Sequence, residues 1–337
     1  MRIHVGVLMQ GQGHLNRAAE LTRRLRARGH DLRVLLAGQA PPAYAEAAIG
    51  PFERLDLPNL VIASGELRRW ATARSFGASL PARLAAVRAL ARRFASDRVD
   101  LVLTDFEPIS ALAARLAGVP AAGIAGQYRL TRTDARGPRA GATRAASLAI
   151  MEAWTPGLAR YFAVTFSPAR ATRRATQVVD PIVDAAVRDA APSAGGFTLA
   201  YLYAYPQARV LAALGGAPGR FRVYGFDRDE THGPVTFART DRRAFVRDLA
   251  ACEGVILNGS FQGVCEAAVL HKPVLSIPFG GQYEELYNAH QIERWGLGSV
   301  APRLTSAAVT RFVTRPPAPP RAPVGDGATQ VIEALGL

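Results

Sequence analysis

Lysine is nearly absent from this chain. Of its 41 lysine and arginine side chains one is lysine, Lys272, which leaves 40 arginines. A GC-rich genome, whose codons favour arginine and alanine, accounts for that ratio. Cysteine is scarce too. Cys252 and Cys265 form no ligand-spaced pair, so neither a zinc site nor a disulfide framework is expected. No stretch approaches the ~18 uncharged apolar residues that a membrane-spanning helix needs. Nor does the start have the shape of a signal peptide. Met1-Arg2 runs straight into Ile3-His4-Val5-Gly6-Val7-Leu8, which reads as a first core strand, and the expected compartment is the cytoplasm. There is no internal repeat, no RNA-binding aromatic motif and no helix-turn-helix signature, so nucleic acid ranks last among partners.

What is present is enough for two cores. The chain has 337 residues, 49% of them apolar, which suits two α/β domains. Its net charge is +14, and that excess needs a solvated or partner-facing home. The stretch 68–98 carries Arg68, Arg69, Arg74, Arg83, Arg88, Arg92, Arg93 and Arg98 against Asp97. It is either a solvated basic face or a surface for anionic lipid on a peripheral protein.

Apolar periodicity predicts alternating strands and helices. Residues 2–9 read as a buried parallel strand, 15–28 as a helix with apolar residues at helical spacing, and 32–36 as the second strand. Helices over 80–94 and 108–116 and strands over 99–103 and 119–124 continue the pattern. A second set begins near residue 196, with strands over 197–203, 221–224, 254–257 and 273–277. Helices are predicted over 207–214, 242–251, 262–270 and 284–295. The fold class is therefore α/β, with two Rossmann-like, doubly wound parallel sheets. The expected limits are 1–167 for the first domain, 168–195 for a hinge, 196–325 for the second domain and 326–337 for a last helix packing back on the first. The run Pro316-Pro317-Ala318-Pro319-Pro320 reads as a stiff linker.

The turn Gly11-Gln12-Gly13-His14 joins the first strand to the first helix. It is not a dinucleotide fingerprint. The third glycine would fall at Asn16, and Ala37-Gly38-Gln39 ends the second strand where an acidic residue belongs. A second strand–turn–helix lies at Leu257-Asn258-Gly259-Ser260-Phe261-Gln262, with Glu266 one turn inside the helix. Such a turn cradles phosphate on backbone N–H groups. Lys272-Pro273-Val274 follows, then Gln282-Tyr283-Glu284-Glu285-Leu286-Tyr287-Asn288-Ala289. Between the two sites stands Thr104-Asp105-Phe106-Glu107-Pro108 at a strand end.

In this order the motifs resemble GT-B glycosyltransferases of families 1 and 28, most strongly over 3–36, 99–127 and 254–299. The resemblance implies an inverting sugar transfer from a nucleotide sugar, UDP-sugar first, with no cofactor and no metal. It places His14 as the base, Asp105 as the carboxylate that orients it, and Glu107 as a rival base. It assigns the donor to Gly11, Gly13, Asn258, Gly259, Ser260, Gln262, Glu266, Gln282, Glu284, Glu285 and Asn288, with Phe226 as a wall for the nucleobase by position. The sequence departs from many relatives at Asn258-Gly259, where they have Gly-Gly, and at Glu285, where they have Gln. Asp227-Arg228-Asp229 spells a metal motif of another glycosyltransferase fold and is expected to be chance. The acceptor is open: a lipid, a small molecule or a glycan. So is the choice between transfer and hydrolysis, because the nucleotide-sugar hydrolase of pseudaminic acid synthesis opens with a similar turn that includes an arginine like Arg17. A 2-epimerase and a non-catalytic anionic-surface binder are weaker readings.

Overall fold

The computed structural model describes residues 1–139, 141–203, 205–320 and 325–337, the side chain of Ala142 excepted. Two seven-stranded sheets organise it. The first runs Glu53–Leu55, Asp31–Gly38, Arg2–Met9, Leu101–Asp105, Ala121–Ala125, Arg160–Val164, Thr176–Val179, and every neighbouring pair is parallel. Its central strands are buried on both faces, which is why they read as unbroken apolar runs rather than alternations.

The second sheet runs Glu230–His232, Val235–Phe237, Phe221–Tyr224, Thr198–Tyr201, Gly254–Leu257, Val274–Ser276, Ser299–Val300. It is parallel except for the edge pair Glu230–His232 and Val235–Phe237, an antiparallel hairpin. In each sheet the earliest strand sits between the strand that follows it in sequence and a later one: Arg2–Met9 between Asp31–Gly38 and Leu101–Asp105, Thr198–Tyr201 between Phe221–Tyr224 and Gly254–Leu257. The order therefore reverses beside Arg2–Met9 and again beside Thr198–Tyr201. Ligands of such sheets bind beyond the carboxyl ends of the strands at that reversal.

Local chemistry starts and stops the helices at those ends. Gly11, at φ 82°, turns the chain from the first strand into helix Gln12–Ala27. Ser260 caps helix Phe261–Val269 by accepting from the N–H of Gly263 at 3.2 Å. Asp241 caps Arg242–Ala251 by accepting from Ala244 at 2.7 Å.

The segment expected to be a hinge is more ordered than its composition suggests. Thr176–Val179 forms the edge of the first sheet, so that domain extends past residue 167. A four-residue strand beside an arginine-rich stretch is too short to show a period. Ile182, Val183 and Val187 then enter a core cluster that spans both domains, from Ile3 and Leu103 to Leu199 and Val255. Helix Gly327–Leu335 packs on the first domain. Arg24 donates to Asp326 at 2.6 Å and to Thr329 at 2.7 Å, and Gln330 bonds Asp180. No helix among the described residues is long and apolar enough to cross a membrane.

Candidate active site

The strand ends of both sheets face one cleft of about 730 Å³. On the first-domain wall stand Gly11, Gly13, His14, Arg17 and Gln127. Gly13 marks where the domains meet: a Cβ there would lie 2.9 Å from Cβ of Gln262 on the opposite helix. The absence of a side chain at 13 is what lets the two helix starts approach.

His14 is buried in the first turn of helix Gln12–Ala27. Its Nδ1 lies 2.7 Å from Oδ1 of Asp105, at the end of strand Leu101–Asp105. An ionised carboxylate there favours the tautomer with the proton on Nδ1 and leaves Nε2 for the cleft. Burial pushes the Asp105 pKa up, but Arg17 and His14 outweigh it and hold the carboxyl below its ordinary range. Phe106 follows at φ 55°, a conformation that costs a bulky residue about 1–3 kcal/mol. Thr104 braces that turn. Its hydroxyl donates to the Glu107 carbonyl at 2.7 Å and accepts from the Glu107 N–H at 2.8 Å.

Glu107 does not face the cleft, which corrects its reading as a rival base. Its carboxylate is enclosed and accepts from the N–H groups of Ile109 and Ser110 at 2.6 and 2.7 Å, capping helix Pro108–Ala117. Burial raises its pKa, against the pull of those bonds.

The second-domain wall carries Gly259, Ser260, Gln262, Glu266, Gln282, Glu284, Glu285 and Asn288. The first N–H groups of helix Phe261–Val269 have no intrahelical partner and point toward the turn. Glu266 is already engaged. Arg242 donates to both its oxygens at 2.9 and 3.1 Å and also grips Asp184. Gln262 donates to the carbonyl of Ile182 at 3.0 Å and to Glu266 at 3.3 Å. Glu284 crosses the cleft to accept from Gln127 at 3.2 Å. Glu285 accepts from the N–H of Gly259, one of the donors expected for phosphate. Burial pushes its pKa up to about 8. Asn288 ties the carbonyl of Gly259 to Arg129.

Two expected donor residues lie elsewhere. Asn258 is buried behind the turn, where it donates to the carbonyl of Ile277 at 3.2 Å, and it does not line the cleft. Phe226 packs edge-on against Phe237, with ring centres 5.2 Å apart, in the second domain's own core. The aromatic residues that do line this wall are Tyr201, Tyr203, Phe245, Phe261 and Phe279. Tyr201 ends the strand at the sheet's reversal point and Tyr203 lies two residues beyond it, a position that could have marked them.

Sequence reasoning missed several lining groups. Arg17 sits three residues after His14, the spacing that puts two side chains on one helical face. The apolar wall of the first domain gave no local signal. It gathers Phe76, Phe106, Ile150, Met151 and Trp154 from three separate segments, with Arg69 and Arg83 at its rim. Asp227 and Asp229 lie away from the cleft lining, and Asp229 pairs with Arg239 at 3.0 Å.

Two facing Rossmann-like domains, open to one cleft at both reversal points, are the architecture of GT-B glycosyltransferases. The chain belongs to glycosyl transferase family 1, whose family profile matches residues 1–317. Among solved structures it is similar to the glycosyltransferase SsfS6 of Streptomyces sp. SF2575, at 19% identity and TM-score 0.54, covering 93% of this chain and 91% of that one. SnogD of Streptomyces nogalater is 17% identical with TM-score 0.55, covering 99% of both chains. Arabidopsis thaliana UGT89C1, solved with UDP-L-rhamnose, is 16% identical with TM-score 0.61, covering 98% of this chain and 93% of that one. At these identities the likeness is one of fold. No curated protein matches the sequence.

Proposed function

We propose that the protein transfers a sugar from a nucleoside-diphosphate sugar, UDP-sugar first, to a hydroxyl of an apolar acceptor, with inversion and without a metal. The observation that carries this reading is the His14–Asp105 pair opening into the same cleft as the Gly259–Ser260 turn. Nε2 of His14 takes the acceptor proton as the hydroxyl oxygen attacks the anomeric carbon. The bond from that carbon to the diphosphate breaks on the opposite face. The departing diphosphate carries the extra negative charge to the N-terminus of helix Phe261–Val269, and the imidazolium later returns its proton to solvent. Phe76, Met151 and Trp154 supply the surface against which an apolar acceptor rests.

Two structural neighbours support a diphosphate donor. LpCGTa was solved with UDP and SsfS6 with thymidine diphosphate. A thermal-shift screen against UDP, dTDP, GDP and their sugars tests the donor. A ligand at about 100 times its dissociation constant should stabilise by ~2.7 kcal/mol. Product analysis with and without acceptor separates transfer from hydrolysis. His14→Ala should lower turnover by roughly 10²–10⁴ with donor affinity little changed, and EDTA should leave activity intact. Near-normal turnover of His14→Ala, or a loss with EDTA that Mg²⁺ restores, sinks the mechanism.

We also propose that the first domain meets an anionic lipid surface beside the acceptor wall. Helix Arg69–Ala78 buries no residue, and Trp70 on it is 90% exposed. Leu80, Leu84 and Ile150 are exposed on neighbouring helices, with arginines between them.

A further inference from the structure

Arg129 carries a charge that the chemistry above does not use. It lies on the short helix Tyr128–Arg132 after strand Ala121–Ala125, and it is 1% exposed. Its guanidinium reaches into the second domain. The central carbon lies 4.1 Å from the centre of the Phe261 ring and 5.4 Å from that of Tyr287. One nitrogen donates to Oδ1 of Asn288, and Asn288 donates in turn to the carbonyl of Gly259. Nε and Nη1 have no partner, and no carboxylate pairs with the group among the described residues. Arg17 is comparably buried yet grips Asp105 with two donors.

A guanidinium held out of water without a counter-charge is strongly unfavourable. Arginine does not escape by losing its proton, although burial pulls its pKa down. The cover over Arg129 is also thin. Nη1 sits against Gly126, where any side chain would collide with it, and Gly126 lines the cleft beside Phe261.

We infer that Arg129 supplies the positive charge of the diphosphate subsite, as a first-domain cation set beneath the second domain's Gly259–Ser260 turn. The inference rests on the donor-site reading above. The turn contributes backbone N–H groups. The arginine on that wall, Arg242, is neutralised by Glu266 and Asp184. Arg129 is a cation at the turn with no carboxylate on it. Sugar departure adds negative charge to the diphosphate, so a fixed cation there favours the transition state over the bound donor. Since cation and turn come from different domains, a bound diphosphate also holds the domains together.

The test compares binding of UDP and dTDP with that of uridine and thymidine, by calorimetry, for the wild type, R129Q and R129K. R129Q should weaken both diphosphates by about tenfold or more while leaving nucleoside affinity unchanged, and R129K should recover part of the loss. Wild-type diphosphate affinity in folded R129Q overturns the inference and leaves Arg129 as a packing clamp. A wild type that binds none of UDP, dTDP and GDP brings down the donor-site reading itself. If R129Q does not fold, N288D sets a carboxylate on the guanidinium, and N288L removes the same bond to Gly259 without adding charge. A selective loss of diphosphate affinity in N288D beyond that in N288L supports the inference, and equal affinities overturn it.

Discussion

Arg17 grips the carboxylate on which His14 depends. Its Nε and Nη2 donate to Oδ2 and Oδ1 of Asp105 at 3.1 and 2.8 Å, and Nη2 also lies 3.0 Å from Nδ1 of His14. Asp105 therefore serves two cationic partners once the imidazole takes a proton. The same guanidinium keeps Asp105 ionised, through its charge and its two hydrogen bonds.

That geometry sets what Arg17→Gln should do. Without the guanidinium, Asp105 loses two donors that fix its carboxylate toward His14. Turnover should fall by about tenfold or more with donor affinity little changed, and Arg17→Lys should recover part of the loss. The measurement is steady-state kinetics of the three proteins under identical donor conditions. Wild-type turnover in folded Arg17→Gln would mean that Asp105 holds its place without the guanidinium.

Glu285 gives a pH prediction, read in stability. Its folded pKa is raised from 4.5 to about 8, through burial and the charge of Glu284, with the Gly259 N–H opposing. On unfolding, the carboxyl ionises from about pH 4.5 upward while the folded group keeps its proton. The unfolded state thus binds fewer protons in that window, and stability falls as pH rises from about 4.5 to about 8. At about 1.4 kcal/mol per pKa unit, the cost reaches a few kcal/mol. Glu285→Gln removes it, so the variant should melt near wild type at pH 5 and above it at pH 8. Parallel melting curves across that range would show that Glu285 is ionised. A neutral acid at this position also resembles the Gln of many relatives, since both present a donor and an acceptor.

Much of this site was legible because its parts are strand ends of parallel sheets. Apolar runs marked strands over 2–9 and 99–103, the resemblance to families 1 and 28 named His14 and Asp105 as a pair, and parallel topology let the two strand ends converge. Glu107 was misread although the signal was there: a carboxylate directly before Pro108 at a helix start is the pattern of a cap. Asn258 was assigned by resemblance and Phe226 by position, and neither says which side of a turn a side chain takes. The apolar wall of the first domain could not be read at all. Phe76, Phe106 and Trp154 are distant in sequence and meet only through the packing of helices against the first sheet. Arg129 was invisible for another reason, since a missing partner is a property of three-dimensional surroundings.

The terminal helix Gly327–Leu335 should contribute to the stability of the first domain. Val331 and Ile332 are buried in the cluster shared by both domains, and Arg24, Asp326 and Thr329 anchor the helix start. Ile332→Ala should cost about 2–5 kcal/mol, the range for truncating a buried isoleucine. Arg24→Ala should cost less, because its partner Asp326 is part-exposed and can be rehydrated, while its buried partner Glu20 keeps both bonds from Arg23. Chemical denaturation of the two variants checks the order. Equal, negligible losses would mean that the helix merely rests on the surface.

The basic first-domain surface should bind anionic vesicles, and the structure narrows which residues do so. Not every arginine of 68–98 is available. Arg93 is bound by Glu53 through two contacts of 2.6 Å, and Arg83 folds over Phe76 at the cleft rim. Arg69 lines the cleft and donates to Thr143 at 3.1 Å. Arg68 and Arg74 flank the exposed Trp70 instead, at the start of and within the helix that buries nothing. A bilayer fits this combination because the indole inserts at the headgroup level while arginines meet anionic lipid, at about 1 kcal/mol for each. Co-sedimentation with vesicles containing phosphatidylserine or phosphatidylglycerol should be clear at low salt. It should fade toward 1 M, where the Debye length falls to about 3 Å. Trp70→Ala should weaken binding at every salt concentration, whereas Arg74→Glu should weaken it mainly at low salt. Phosphatidylcholine vesicles serve as the neutral control. No binding to anionic vesicles at low salt would make this face a solvated one and leave the apolar acceptor to arrive from solution.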